Sequence, residues 1–150
     1  MFVKTDVVKW PDLDNAFNVA DQEFGGADIV CPGAGIFEPH WTNFWNPPGT
    51  ARSKDSAYPA DGVGHYALLD INITHPIRCS QLAISRWLNS EKERVSPSNP
   101  KRLVHISSIA GQVPSFTTPM YIASKHAISG FVRSLADLDK VGIRVNGVAP

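Results

Sequence analysis

Tyr121 and Lys125 stand four residues apart in a stretch of helical spacing, so their side chains share one face. A free phenol titrates near about 10 and is a poor acid or base at neutral pH. A lysine ammonium one turn away favours the phenolate, and a shift to about 7 needs roughly 4 kcal/mol of differential stabilisation. Such a pair also arises by chance, so its surroundings decide its meaning. Ser107 and Ser108 end an apolar run that reads as a strand, and open α/β sheets place ligands at the carboxyl ends of their strands. Ser108 lies 13 residues before Tyr121. A strand end, a loop and a helix start can bring both hydroxyls to one point, where two donors would hold a carbonyl or alcohol oxygen. The plainer alternative is that the two serines only terminate the strand. Asn72 adds a third element. Pro76 has no N–H, so the Asn72 carbonyl loses its usual helical partner and is free to hold a water. Asn72-Ile73-Thr74 also spells a glycosylation sequon, which the helical pattern and the lack of secretory features argue against.

The elements that must position these groups alternate. Residues 2–7 read as a strand and 11–24 as a helix, with Pro11, Asp12 and Asp14 at its start and Gly25-Gly26 stopping it. Residues 28–31 form a short apolar run suited to a parallel strand, ending in Pro32-Gly33-Ala34-Gly35. Residues 36–65 are rich in proline and glycine and carry Phe37, Trp41, Phe44 and Trp45. A connection this long is either functional or packed by its own side chains. Residues 66–88 return to helical spacing, interrupted by Pro76, and 90–100 read as a polar surface loop. A strand over 103–106 follows. A helix opens at Thr118-Pro119, with Thr118 as N-cap, and runs to about Leu138; 143–148 form a last strand. Strands alternating with helices predict an α/β domain around a parallel sheet.

Composition narrows the function classes. The chain has 150 residues, the size of one domain, of which 43% are hydrophobic and 19% charged. Fourteen basic and 14 acidic residues cancel, which argues against a nucleic-acid reader built on bulk positive charge. No apolar run reaches the ~20 residues that span a bilayer. The early charges Lys4, Asp6, Lys9, Asp12 and Asp14 are unlike a signal peptide. Two cysteines, Cys31 and Cys79, suit a reducing compartment, and five histidines without ligand spacing predict no metal site. These features together predict a cytoplasmic globular protein.

Asn72, Ser108, Tyr121 and Lys125, with Ile106-Ser107-Ser108-Ile109-Ala110-Gly111 and Tyr121-Ile122-Ala123-Ser124-Lys125, resemble the short-chain dehydrogenase/reductase family over essentially the whole chain. Ala123-Ser124-Lys125-His126 with Gly130-Phe131-Val132-Arg133-Ser134 is most similar to the hydroxyprostaglandin dehydrogenase branch. The resemblance implies a three-layer Rossmann-type parallel sheet with helices on both faces. It implies an oxidoreductase that uses NAD or NADP to interconvert a secondary alcohol and a ketone. Tyr121 would be the acid/base, Ser108 would orient the substrate oxygen, Lys125 would favour the phenolate and bind the nicotinamide ribose, and Asn72 would hold a relay water. Asp6 and Val7 match the family's adenine contact, and Pro150 its Pro-Gly turn. Family members commonly pair their long helices across a dimer axis, which implies a homodimer or homotetramer. The stripe Ala123, Ala127, Gly130 and Ser134 would allow that approach.

Two departures qualify this expectation. Pro32-Gly33-Ala34-Gly35 stands where the family usually has Asn-Asn-Ala-Gly, so cofactor contact by Gly33, Ala34 and Gly35 would rest on open backbone alone. No glycine-rich turn follows a strand to seat a pyrophosphate. The expectation is therefore a single partial dinucleotide-binding domain over 1–150, truncated at both ends, without the N-terminal glycine-rich βαβ and the C-terminal substrate-lid segment. A nucleotide-sugar epimerase shares the tyrosine–lysine pair, but the Ser-Ser-x-x-Gly block argues against it. The remaining rival is an inactive remnant that serves as an interaction module. The substrate expected from Phe37, Trp41, Phe44 and Trp45, with Val113, Pro114 and Phe116, is a hydrophobic alcohol or ketone.

Overall fold

A computed structural model describes residues 1–55, 62–90 and 95–150. Parts of the expected 36–65 connection (56–61) and of the 90–100 loop (91–94) lie outside the described residues. Helix α1 spans Trp10–Phe24 and ends at Gly25, whose φ of 77° suits glycine. Gly25 N donates to Asp21 O at 3.1 Å and Gly26 N to Ala20 O at 3.2 Å, closing the helix end. Strand β1 is Ile29–Val30, shorter than the expected 28–31. Helix α2 spans Ala67–Leu69, a π-helical turn covers Asp70–Thr74, and α3 covers His75–Asn89. The wide turn stands just before Pro76, which offers no N–H and whose ring crowds the Asn72 carbonyl. Strand β2 is Lys101–Ile106, helix α4 is Pro119–Ser134, and strand β3 is Ile143–Val148.

The strands form one parallel sheet in the order β1-β2-β3, with Leu103 beside both Val30 and Val145. Along β2, Lys101, Leu103 and His105 are buried while Arg102 is exposed. The buried face packs Leu103 and Ile143 against Ala83 and Trp87 of α3, with Phe17 of α1 beside them. Leu13 of α1 meets Cys79 and Leu82 of α3. Lys101, itself buried, bonds Asp28 at 2.6 Å and ties the start of β2 to that of β1.

Three expectations are corrected. Residues 2–7 form no strand, because no strand among the described residues pairs with them; the segment ends in a turn closed by Lys9 N on Asp6 O. Thr118 precedes α4, but its side chain makes no capping bond. Helix α4 ends at Ser134 rather than near Leu138, and a 3-10 turn, Ala136–Val141, leads to Gly142 and β3.

Candidate active site

The β2 carboxyl end and the first turns of α4 meet where the sequence places Ser108, Tyr121 and Lys125. Ser107 Oγ bonds Ser129 Oγ of α4 at 2.8 Å. The 3-10 turn Ile109–Gly111 then lies directly on α4. A Cβ on Gly111 would stand 2.7 Å from Ser129 Oγ and 2.8 Å from Lys125 O, so glycine permits this approach. Ser108 caps the turn, accepting from Ala110 N at 3.2 Å and donating to Pro150 O at 3.2 Å. That bond joins Ser108 to Pro150, two of the expected site residues.

Lys125 is 8% exposed and reaches back to the strand end, where Nζ donates to Ile106 O at 2.8 Å. The same nitrogen lies 5.5 Å from the centre of the Tyr121 ring. Burial lowers the pKa of Lys125 from its ordinary value. The edge of Phe37 packs on Tyr121, with centroids 4.6 Å apart. Among the described residues, no hydrogen bond joins Ser108 to Tyr121.

Asn72 clamps the neighbouring loop. Its Oδ1 accepts from Ile36 N and its Nδ2 donates to Ile36 O, both at 2.9 Å; Nδ2 also donates to Ser124 Oγ at 3.2 Å. This backbone clamp was not foreseen from the sequence, which pointed to the Asn72 carbonyl instead. Gly33, Ala34 and Gly35 present exposed backbone beside it. A cavity of ≈ 10 Å³, about enough for one water, lies between Gly33, Asn72, Pro76, His105 and Lys125.

Two further residues escaped the sequence reading. His105 is fully buried, with Nε2 3.2 Å from Ser80 Oγ. Ser80 gives its proton to Pro76 O at 2.6 Å, so His105 must donate from Nε2 and keep Nδ1 as an unpartnered acceptor. Burial, and secondarily His75, push its pKa down to about 4. Glu38 is also buried, and its carboxylate accepts from Tyr121 N at 2.8 Å. The only sequence signal for Glu38 is a lone acid inside an apolar run.

The aromatic segments also meet. Trp45 Nε1 donates to Phe116 O at 3.0 Å and their rings lie 4.7 Å apart. Asp6 and Val7 stand elsewhere. Asp6 accepts from Val8 N and pairs with Lys9 ahead of α1, while Val7 packs toward Leu13, Cys79 and Leu82. Among the described residues, no hydrogen bond or ion pair joins either of them to Tyr121 or Lys125.

A family model described as short chain dehydrogenase matches residues 1–150. The chain belongs to the short-chain dehydrogenase/reductase family. It is 31% identical over 150 residues to short-chain dehydrogenase/reductase prx7 of Penicillium rubens, covering 99% of this chain and 50% of that protein. It is 29% identical over 154 residues to 15-hydroxyprostaglandin dehydrogenase [NAD(+)] of Rattus norvegicus, covering 100% of this chain and 47% of that one. Among solved structures, it is similar to 4-hydroxyisoleucine dehydrogenase complexed with NADH, with a TM-score of 0.71 and 26% identity. That match covers 99% of this chain and 56% of the solved one. The chain thus spans about half the length of the curated relatives it matches. This short-chain dehydrogenase/reductase has the Rossmann-like parallel sheet of its structural neighbours. No helix among the described residues is long and apolar enough to cross a membrane.

Proposed function

We propose that these residues carry the catalytic centre of an NAD- or NADP-dependent oxidoreductase that interconverts a secondary alcohol and a ketone. The observation that carries the reading is Lys125, buried, anchored on Ile106 O and standing beside the Tyr121 ring. The residues fit a nicotinamide ribose. Lys125 spends one of its three N–H donors on Ile106, and exposed Gly33 and Ala34, with Gly35 next in the chain, line the same cavity. When bound, the cofactor accepts or supplies the hydride.

The remaining chemistry belongs to the chain. In the oxidising direction the alcohol proton passes to the Tyr121 oxygen as the C–H bond gives up its hydride and the carbonyl forms. Lys125 Nζ, 5.5 Å from the centre of the Tyr121 ring, sets positive charge beside the residue that receives that proton. Ser108 Oγ, which donates to Pro150 O here, would exchange that acceptor for the substrate oxygen and orient it. Asn72 borders the one-water cavity that reaches Lys125, which supports its place in a proton relay. Asp6 and Val7 remain proposed adenine contacts, and Pro150 a proposed contact beside Ser108.

The substrate is read as a hydrophobic alcohol or ketone, supported by the exposed wall of Phe37, Phe44, Trp45 and Phe116. Ala123, Ala127 and Ser134 face outward on α4, which supports association into a homodimer or homotetramer. Unpaired Cys31 and Cys79 suit the cytoplasm. The three strands share one sheet, which supports reading 1–150 as a single partial dinucleotide-binding domain. Titration with NADH, followed by its fluorescence, tests the reading. In a protein that carries the glycine-rich turn together with residues 1–150, saturable binding that Lys125→Met weakens is expected; absence of binding there overturns it.

A further inference from the structure

Glu38 joins two parts of the molecule that the sequence separates by 83 residues. Its side chain is 5% exposed and both of its oxygens are engaged. Oε2 accepts from Tyr121 N at 2.8 Å and Oε1 accepts from Phe44 N at 3.1 Å. Tyr121 is the third residue of α4, and a helix offers its first N–H groups no partner of its own. The residue that precedes the helix, Thr118, supplies no side-chain bond there. A carboxylate from outside the helix therefore does the capping, at the end where the helix dipole favours negative charge.

The loop side is equally constrained. Glu38 is the one non-glycine residue with positive φ among the described residues, at 29°, and its carbonyl accepts from Asn43 Nδ2 at 3.2 Å. A strained backbone that persists is held by its surroundings. Thr42, fully buried, accepts from Leu68 N through Oγ1 at 3.2 Å, fixing the same loop to α2. Phe37, next to Glu38, packs on the Tyr121 ring.

We propose that Glu38 is a positioning residue that locks the backbone of Tyr121 to the 37–45 loop, so that the proton-transfer hydroxyl and the apolar substrate wall keep one fixed separation. The inference rests on the proton-transfer reading of Tyr121. Losing the carboxylate frees one N–H on each side, and a displacement of about an ångström at a reacting group costs on the order of a hundredfold in rate. Cofactor affinity, read as a property of Lys125 and the glycine backbone, stays unchanged.

The experiment compares the wild-type protein with Glu38→Ala, Glu38→Gln and Tyr121→Phe. NADH affinity, kcat and KM are measured for a long-chain secondary alcohol and for propan-2-ol, and amide hydrogen exchange is followed at Phe44 and Tyr121. For Glu38→Ala we expect NADH affinity within about twofold of wild type and kcat down about tenfold or more. The long-chain to short-chain ratio of kcat/KM should fall, and the Phe44 and Tyr121 amides should exchange faster together. A purely structural role would lower both substrates equally and leave that ratio intact. Glu38→Gln keeps the shape but turns an N–H toward an N–H, so it shows the same pattern at smaller size and serves if the alanine variant does not fold. Wild-type kcat, ratio and amide exchange in either folded variant overturn the proposal. If Tyr121→Phe keeps wild-type kcat, the reading of Tyr121 fails, and the paired amide exchange still decides whether Glu38 couples the two segments.

Discussion

Lys125 Nζ donates to the last carbonyl of β2, Ile106 O, at 2.8 Å while standing 5.5 Å from the centre of the Tyr121 ring. One ammonium thus binds the strand end to the helix and sets a positive charge beside the phenol. The two side chains divide the work in a way that kinetics can separate. If Tyr121 carries the proton as proposed, Tyr121→Phe removes that carrier and leaves Lys125 in place, so turnover should fall by about a thousandfold or more while NADH affinity changes little. Lys125→Met weakens both. Near-normal kcat in Tyr121→Phe would sink the assignment.

Gly111 sets how closely the Ser108 turn approaches α4. A Cβ there meets Lys125 O at 2.8 Å, a backbone atom that cannot move without the helix. Gly111→Ala should cost about 1–3 kcal/mol of stability, the usual range for overpacking, and lower kcat by widening the distance from Ser108 to Tyr121. Chemical denaturation and steady-state kinetics check both effects. A variant within about 0.5 kcal/mol of wild type would show that the turn can shift freely.

Acid should destabilise the fold through its buried histidines. The His105 pKa is lowered from 6.5 to about 4 by burial and then by His75. Below pH 6.5 the unfolded chain takes up a proton that the folded chain refuses, so stability falls as pH drops from about 6.5 to about 4. The full effect is on the order of 3 kcal/mol. The His75 pKa is lowered too, and it acts in the same direction. Unfolding midpoints at pH 7 and pH 4.5 measure the slope. His105→Asn should flatten it, and equal slopes for wild type and variant would remove His105 as the cause.

Local chemistry made much of this legible in the sequence. The glycine stop after Phe24, the apolar run that becomes β2, and the Tyr121–Lys125 face all follow from rules that act within a few residues. The segment 2–7 misled because its apolar pattern suits a strand, yet a strand exists only through a neighbour. Thr118 looked like a cap, but the Tyr121 N–H found its acceptor 83 residues away on Glu38. The Asn72 side chain likewise works on Ile36, across 36 residues. Such partners are set by tertiary approach, which spacing does not encode. The proline at position 76 was informative because its effect is covalent, and the helix widens into a π turn beside it.

The aromatic wall gives the last prediction. Phe44 is 54%, Trp45 49% and Phe116 80% exposed and their rings touch in series, while Phe37, 66% exposed, packs on Tyr121. Phe44 and Trp45 contact edge-on at 4.9 Å, and Trp45 is held to Phe116 by both a ring contact and a hydrogen bond. A wall built this way rewards apolar substrate surface at roughly 25 cal/mol per Å² removed from water and offers few donors to a polyol. A long-chain secondary alcohol should therefore give a higher kcat/KM than a sugar alcohol. Trp45→Ala should lower that preference about tenfold, chiefly through KM, because it removes both the ring surface and the bond that holds the two segments together. Phe116→Ala leaves the carbonyl that Trp45 uses and should cost less. A protein that prefers the sugar alcohol, or a Trp45→Ala variant with the wild-type preference, would mean that substrate binds away from this wall.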